Sequence, residues 1–383
     1  MKRRHRIMVV YGTRPEAIKV APVIQLLKQS DRLRPVITVT GQHRSMLDQV
    51  NELFEIVPHH DLDIIQERQS LTDVTTRTLE RLSVVLENDR PDAVAVQGDT
   101  NTSTAAALAA FYQKIPVIHI EAGLRTADVY SPFPEEMNRR ITTRLTALHC
   151  APTATAKNNL LLESVSAEDI VVTGNTVIDA LQSTVHKRVP YDDKRLAMLH
   201  DDRRRVVLIT SHRRESWGPP MAGVARAIAR LASTEPETAF VLPAHRNPVV
   251  REVLLPPLEG LDNVIVVEPL PYAQFARLMS RSHVVLTDSG GVQEEAPSLG
   301  KPVLVMRDNT ERPEAVDAGT AVLIGTGEES VFDAVTRLLH DEAHYNSMAN
   351  AVNPYGDGKA ASRTVAAIAQ FFGVGQRVSD FVA

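Results

Sequence analysis

The 383-residue sequence predicts an α/β protein of two Rossmann-like domains, each a doubly wound parallel sheet, facing a central cleft. Short β-branched apolar runs recur along the chain, spaced widely enough for the crossover helix that parallel strands require. The runs are continuously apolar instead of alternating, which marks strands covered on both faces. Three of them end in polar turns that precede helix-like segments: Gly12-Thr13-Arg14-Pro15-Glu16, Gln97-Gly98-Asp99-Thr100 and Thr287-Asp288-Ser289-Gly290-Gly291. Ligands of open α/β sheets bind beyond the carboxyl ends of the strands, so polar tips in both halves imply one site facing two sheets.

In order, the basic start Lys2-Arg3-Arg4-His5-Arg6 is a solvated tail, because the apolar run behind it stops at Tyr11-Gly12 and is too short for a signal peptide. Strands are expected at Ile7-Val10, Val36-Thr40, Ala93-Gln97, Val117-Ile120 and His149-Ala151. The second half repeats the rhythm at Val206-Thr210, Ala239-Pro243, Val264-Val267, Val284-Thr287, Val303-Met306 and Ala321-Ile324. The join is expected near Val171-Val172-Thr173-Gly174-Asn175, giving domains 1–172 and 173–359. The polar stretch from Val189 to Arg205 reads as an exposed helix and linker, and the turn Asn353–Gly358 precedes a last apolar helix from Ala360 to Phe372.

Composition narrows the function classes. A hydrophobic content of 43% and a net charge of -5 describe a soluble globular chain without the broad basic surface of a nucleic-acid binder. No stretch approaches the roughly 18 uninterrupted apolar residues of a membrane span, so a cytoplasmic protein without a membrane partner is expected. The single Cys150 excludes an internal disulfide and reads as a small buried hydrophobe. No metal-ligand spacing is present, and Asp61-Leu62-Asp63 is assigned to loop structure.

The strand tips hold the candidate chemistry. Ser289, Gly290 and Gly291 stand between a strand and a helix beginning near Val292, where backbone N–H groups suit an anion, and Glu295 one turn on suits the hydroxyls of a ribose. A tight turn with a surface glutamate is the alternative. Arg14, Lys19 and Arg312 are candidate cations for a diphosphate, against ordinary solvated charge. Asp99, Glu121, Glu135 and Glu136 lie at tips or loops, and Asp99 and Glu121 follow neighbouring strands where their carboxylates can meet. For Asp99 the alternative is the N-cap of a helix from Thr100 to Phe111. Glu136 and Arg140 read as an ordinary i,i+4 pair. His212 and His245 end equivalent strands beside arginines, which favours a role with phosphate or a leaving group.

Taken together, the motifs at Gly12–Pro22, Gln97–Thr100, His119–Thr126, Ser131–Arg139, Gly174–Leu181, His212–Ser216, Leu286–Val303 and Arg307–Ala315 resemble the non-hydrolysing UDP-N-acetylglucosamine 2-epimerases. The resemblance implies a glycosyltransferase-B-like fold with the last segment, 360–383, crossing back to the first domain. It implies reversible conversion of UDP-GlcNAc to UDP-ManNAc without a cofactor or metal, in a homodimer, supplying bacterial envelope polysaccharides. At matching positions Asp99, Glu121, Glu135 and His212 are implied as catalytic, with Arg139 supporting Glu135. Arg14, Lys19, Phe275, Ser289, Gly290, Gly291, Glu295 and Arg312 are implied as the UDP clamp. Gln42, Arg68, Gln69, Arg213 and His245 resemble the site of a second, activating UDP-GlcNAc. The chain departs from the family pattern at Ser45, Asn101 and Ser216. A hydrolysing relative, a glycosyltransferase of the same fold and a catalytically silent UDP-sugar sensor are the rival readings.

Overall fold

The computed structural model describes residues 3–42, 44–66, 69–126, 128–310 and 312–383, and divides into two compact units. The first comprises Met1–Ala180 and Tyr355–Val382, the second Leu181–Pro354 and Ala383.

In the first unit the apolar runs form β1 (His5–Tyr11), β2 (Leu33–Val39), β3 (His60–Asp61), β4 (Ala93–Gln97), β5 (Val117–Ile120), β6 (Thr146–Ala151) and β7 (Ile170–Val172). Among the described residues they make one seven-stranded parallel sheet in the order β3-β2-β1-β4-β5-β6-β7. β1 pairs on one side with β2 and on the other with β4, so the order reverses between β1 and β4. That switch point places Gly12–Glu16 beside Gly98–Thr100. The two-residue edge strand β3 is absent from the expectation because it has no apolar run of its own. Met8, Val10, Val94 and Val96 bury one face against Leu82 and Leu86 of the helix Leu71–Asp89. Each such side chain stabilises the fold by about 1.5–3 kcal/mol over an exposed one.

In the second unit β8 (Arg205–Thr210), β9 (Thr238–Pro243), β10 (Val264–Val267), β11 (Val284–Thr287), β12 (Val303–Val305) and β13 (Ala321–Leu323) form a six-stranded parallel sheet in the order β10-β9-β8-β11-β12-β13. Its reversal lies between β8 and β11. Ser211–Ser216 and Asp288–Gly291 follow those two strands. Val207, Ile209, Phe240, Leu242 and Leu286 pack against Ile228, Leu231, Val331 and Val335 from the covering helices. Within the stretch read as helix and linker, the helix Lys194–Asp201 forms, capped by Asp193 accepting the Arg195 N–H at 2.8 Å.

The expected join at 172/173 is corrected to Ala180/Leu181, with a return at Pro354/Tyr355. The turn after β7 is bound to first-unit neighbours. The Asn175 N–H donates to the Tyr355 carbonyl at 2.6 Å, and Arg363 donates to the Thr173 carbonyl at 3.2 Å. The crossing falls inside the helix Thr176–His186, which a turn-based reading of the sequence cannot divide. The final helix, Ala360–Phe371, packs on the helix Arg14–Gln29 and on β6 and β7. Partly buried Asp179 accepts the N–H groups of Ala360 at 3.2 Å and Ala361 at 2.9 Å, satisfying donors that a helix start leaves unpaired.

Candidate active site

At the first switch point, the turn after β1 is held by a buried glutamate. Glu16 accepts the N–H groups of Gly12 at 2.9 Å and Thr13 at 2.7 Å, the Thr13 hydroxyl at 2.8 Å and the Thr100 hydroxyl at 2.6 Å. Thr13 and Glu16 form a capping box at the start of the helix Arg14–Gln29. Burial pushes the Glu16 carboxyl up while these donors pull it back, leaving it above the usual range. Gly12 is required by close approach, since a Cβ there would lie 2.0 Å from the Thr40 hydroxyl. Arg14, first residue of the helix, is half-buried.

The carboxylates stand beyond β4 and β5. Glu121 is buried with φ +66°, a left-handed conformation that non-glycine residues seldom adopt. Its Oε1 accepts from Lys19 Nζ at 2.5 Å and Asn175 Nδ2 at 2.8 Å, and its Oε2 from Gln97 Nε2. Lys19, expected as a cation for a diphosphate, is therefore the ion-pair partner of Glu121, which follows a nearby strand of the same sheet. Asp99 precedes the helix Asn101–Tyr112 but does not cap it; the Thr100 hydroxyl accepts the Ser103 N–H at 3.1 Å. Its carboxylate is engaged by Arg139, at 2.8 Å from Nε and 2.7 Å from a terminal nitrogen.

Arg139 was expected to support Glu135; the contacts seen for its guanidinium are with Asp99 and Glu136. The helix Glu135–Leu145 packs along the helix Asn101–Tyr112, and Asn138 Nδ2 donates to the Asp99 carbonyl at 2.9 Å, bringing that carboxylate over Arg139. Arg139 also reaches Glu136 at 3.2 Å, and Arg140 pairs with Glu136 at 2.8 Å. Fully buried Glu136 further accepts the Thr126 N–H at 3.0 Å, so it fixes the loop ahead of the helix. Glu135 opens the helix, half-buried. Beside this group the buried rings of His119 and His149 are lowered to about 4 and about 3 by desolvation and stay neutral near pH 7. His119 Nε2 lies 2.7 Å from the Gly98 carbonyl and packs the Asp99 turn.

The second switch point carries cations and backbone donors. Ser289 precedes the short helix Gly290–Glu295, with its N–H on the Thr287 hydroxyl at 2.9 Å; Gly290 is buried and Gly291 exposed. Glu295 is buried and accepts the Tyr272 hydroxyl at 2.9 Å. Phe275 lies half-buried on the same helix as Tyr272, Tyr272–Arg281. Arg312 forms an ion pair with buried Glu294. His212 Nδ1 lies 3.0 Å from Asp288, and its ring stacks on that of His245 at 5.8 Å between centroids. Arg213 reaches towards Gly290, where a Cβ would lie 3.7 Å from its guanidinium.

Of the residues implied for a second ligand, Gln42 accepts the Thr102 hydroxyl at 3.0 Å and Gln69 accepts the Gln66 N–H at 3.1 Å in the first unit. Arg213 and His245 belong to the second, and Arg68 lies outside the described residues. Asp61, expected in a loop, ends β3, Asp63 lies just beyond it, and both are engaged by Arg44. Burial pushes the Cys150 thiol up to about 12. Glu16, Asn175 and Asp288 were missed as organisers of these turns. The Thr13–Glu16 spacing signalled a capping box; Asn175 carried no local signal.

The chain is matched over residues 25–369 by the family model described as UDP-N-acetylglucosamine 2-epimerase. It is 50% identical over 368 residues to the UDP-N-acetylglucosamine 2-epimerase of Yersinia pestis, covering 95% of this chain and 98% of that one. The crystal structure of UDP-GlcNAc 2-epimerase from Neisseria meningitidis bound to UDP-GlcNAc superposes with a TM-score of 0.85 at 48% identity, over 95% of this chain and all (100%) of that one. The S. aureus MnaA–UDP co-structure gives a TM-score of 0.87 at 45% identity, over 99% and 100% of the two chains.

Proposed function

This chain belongs to the UDP-N-acetylglucosamine 2-epimerase family, and from that premise we propose that it is the non-hydrolysing enzyme, inverting C2 of UDP-N-acetylglucosamine to give UDP-N-acetylmannosamine through elimination and re-addition of UDP. C2 bears an N-acetyl group and no neighbouring carbonyl carbon, so its hydrogen is not acidic while the C1–O bond is intact. As UDP leaves with that electron pair, the C2–H pair becomes the C1=C2 bond of a 2-acetamidoglucal and the proton passes to a carboxylate. In the return step a proton reaches C2 on the opposite face and a diphosphate oxygen attacks C1. Atoms and charge balance without a nicotinamide or a metal.

The route needs acid/base groups for two faces of the ring and donors for the departing diphosphate. The observation that carries the reading is at the first switch point, where Glu121 and Asp99 are each fixed by a cation of their own unit, Lys19 and Arg139. With Glu135 they form the set from which the two proton carriers are drawn. Arg14, Arg312, Ser289, Gly290 and Gly291 hold the diphosphate, Glu295 the ribose hydroxyls and Phe275 the base, with His212 beside the leaving oxygen. Lys19 acts through Glu121. Gln42, Arg68, Gln69, Arg213 and His245 form the proposed site of an activating second UDP-GlcNAc, in a cytoplasmic homodimer.

Incubation with UDP-GlcNAc in deuterated water tests this directly. Deuterium at C2 of both epimers, without acceptor and without accumulation of UDP, is expected. UDP released in step with free sugar would make the enzyme a hydrolase, and no exchange at all would leave a transferase or a sensor.

A further inference from the structure

Asp288 has no part in the reaction outlined above, yet it is the first residue after β11 and fully buried. One oxygen accepts the backbone N–H groups of His212 at 2.6 Å and Arg213 at 2.8 Å. The other lies 3.0 Å from His212 Nδ1. One carboxylate thus ties the turn after β8 to the Ser289-Gly290-Gly291 turn across the switch point. Burial opposes its ionisation, but the contacts from His212 and Arg213 outweigh that and hold the carboxyl below its usual range. Asp288 Oδ1 is buried and has no other hydrogen-bond partner, and an ionised carboxylate only accepts, so the adjacent ring nitrogen satisfies it when Nδ1 carries the hydrogen.

We propose that Asp288 is the positioning residue for His212, fixing the Nδ1–H form of its ring so that the Nε2 edge serves the oxygen of the departing diphosphate. This rests on the reading of His212 given above. The arrangement follows the general carboxylate–histidine logic, in which the buried acid sets tautomer and orientation and stabilises the ring when it gains a second proton. Two other groups bear on that ring: His245, stacked on it, and the following Arg213.

Asp288→Asn turns the argument into a test. The two backbone N–H groups require the amide oxygen, which leaves the amide NH2 facing Nδ1; the ring must then accept at Nδ1 and carry its hydrogen on Nε2. Nitrogen-15 spectra of the histidine rings, assigned with His212→Asn, are expected to show Nδ1 protonated in the wild type and Nε2 protonated in Asp288→Asn. Turnover should fall by about 10²- to 10⁴-fold while UDP affinity changes by less than about threefold. The double variant should lose no more than about twofold beyond His212→Asn alone, because Asp288 acts through the ring. Losses that multiply instead would give Asp288 a merely structural role and overturn the proposal. The wild-type spectrum does not depend on Asp288→Asn folding: a bare Nδ1 there overturns the proposal by itself. Full turnover in His212→Asn would overturn the catalytic reading of His212, a failure that the ring spectrum distinguishes from failure of the positioning.

Discussion

The two units share a scaffold and differ in what they mount on it. Both sheets reverse strand order near the middle, at β1/β4 in the first and β8/β11 in the second, and both place polar turns there. In the first unit the strand tips end in carboxylates held by cations and amides: Glu121 by Lys19, Gln97 and Asn175, and Asp99 by Arg139. In the second the polarity is inverted, with His212 held by Asp288 and Arg312 by Glu294. Each of these four groups is therefore balanced within its own unit, and a basic residue in the first is not by that fact a phosphate ligand.

The sharpest way to break this division is to remove the most firmly held carboxylate. Glu121→Gln is expected to lower turnover by about 10²- to 10⁴-fold, as for loss of a general acid or base. UDP affinity, assigned to Arg14 and the second unit's turn rather than to Glu121, should stay within about threefold. Steady-state kinetics with titration of UDP by calorimetry checks both. Unchanged turnover would remove Glu121 from the chemistry, and a parallel loss of UDP affinity would merge the two roles.

Asp179, partly buried, and Asp288, fully buried, are aspartates with opposite environments, one in each unit. Asp288 faces a histidine and lies below its usual range. Asp179 accepts the backbone N–H groups of Ala360 and Ala361, and desolvation, with the like charge of Asp357 adding to it, raises it from 3.8 to about 6. A raised folded-state value contributes stability that is fully present below pH 3.8 and is lost as the pH climbs through about 6. The loss amounts to about 3 kcal/mol. Asp288 contributes with the other sign, its share being lost as the solution turns strongly acidic. Urea unfolding between pH 4 and pH 7 should therefore show a stability slope from Asp179 that Asp179→Asn flattens. Identical slopes would mean that the N–H donors already offset burial.

Lys19 tests where the boundary between the roles lies. Replacement by Met removes the ammonium beside Glu121 while keeping the apolar stem, and turnover should fall by about 10- to 10²-fold with UDP affinity little changed. A large loss of UDP affinity at unchanged saturated turnover would return Lys19 to the diphosphate, as first expected from its place after the Gly12 turn.

Why the pairing of Lys19 with Glu121 was not foreseen is instructive. The strands were legible because continuous apolar runs such as Ala93–Val96 and Val206–Ile209, bounded by turn residues, suit a sheet buried on both faces. The tips were legible because turns must follow such runs. Partner choice was not. Lys19 and Glu121 are 102 residues apart, and Asp99 and Arg139 are 40 apart, so each pairing depends on strand order, which local patterning does not encode. The unit boundary was misplaced for a related reason, since Gly174-Asn175 looks like a linker until Tyr355 returns to cover it. Asp288 passed for one more polar residue in a turn until β8 was placed beside β11.

The smallest expected effect probes the second unit alone. The buried Tyr272 hydroxyl donates to Glu295 at 2.9 Å, and Glu295 is the residue proposed to receive the ribose. Tyr272→Phe deletes that donor and leaves the ring in place, so Glu295 loses one of the contacts that aim its carboxylate. A hydrogen bond to a charged group is worth about 1.5–3 kcal/mol at most, and part of it is regained if the carboxylate turns to water or to the ligand. UDP affinity should fall about 3- to 10-fold with turnover at saturation unchanged, because the contact is equally present in ground and transition states. Calorimetric titration of UDP and of uracil nucleosides with and without the ribose hydroxyls would locate the loss. If the deoxyribose ligand is weakened as much as the ribose one, Glu295 serves the packing of Tyr272–Arg281 and not the sugar.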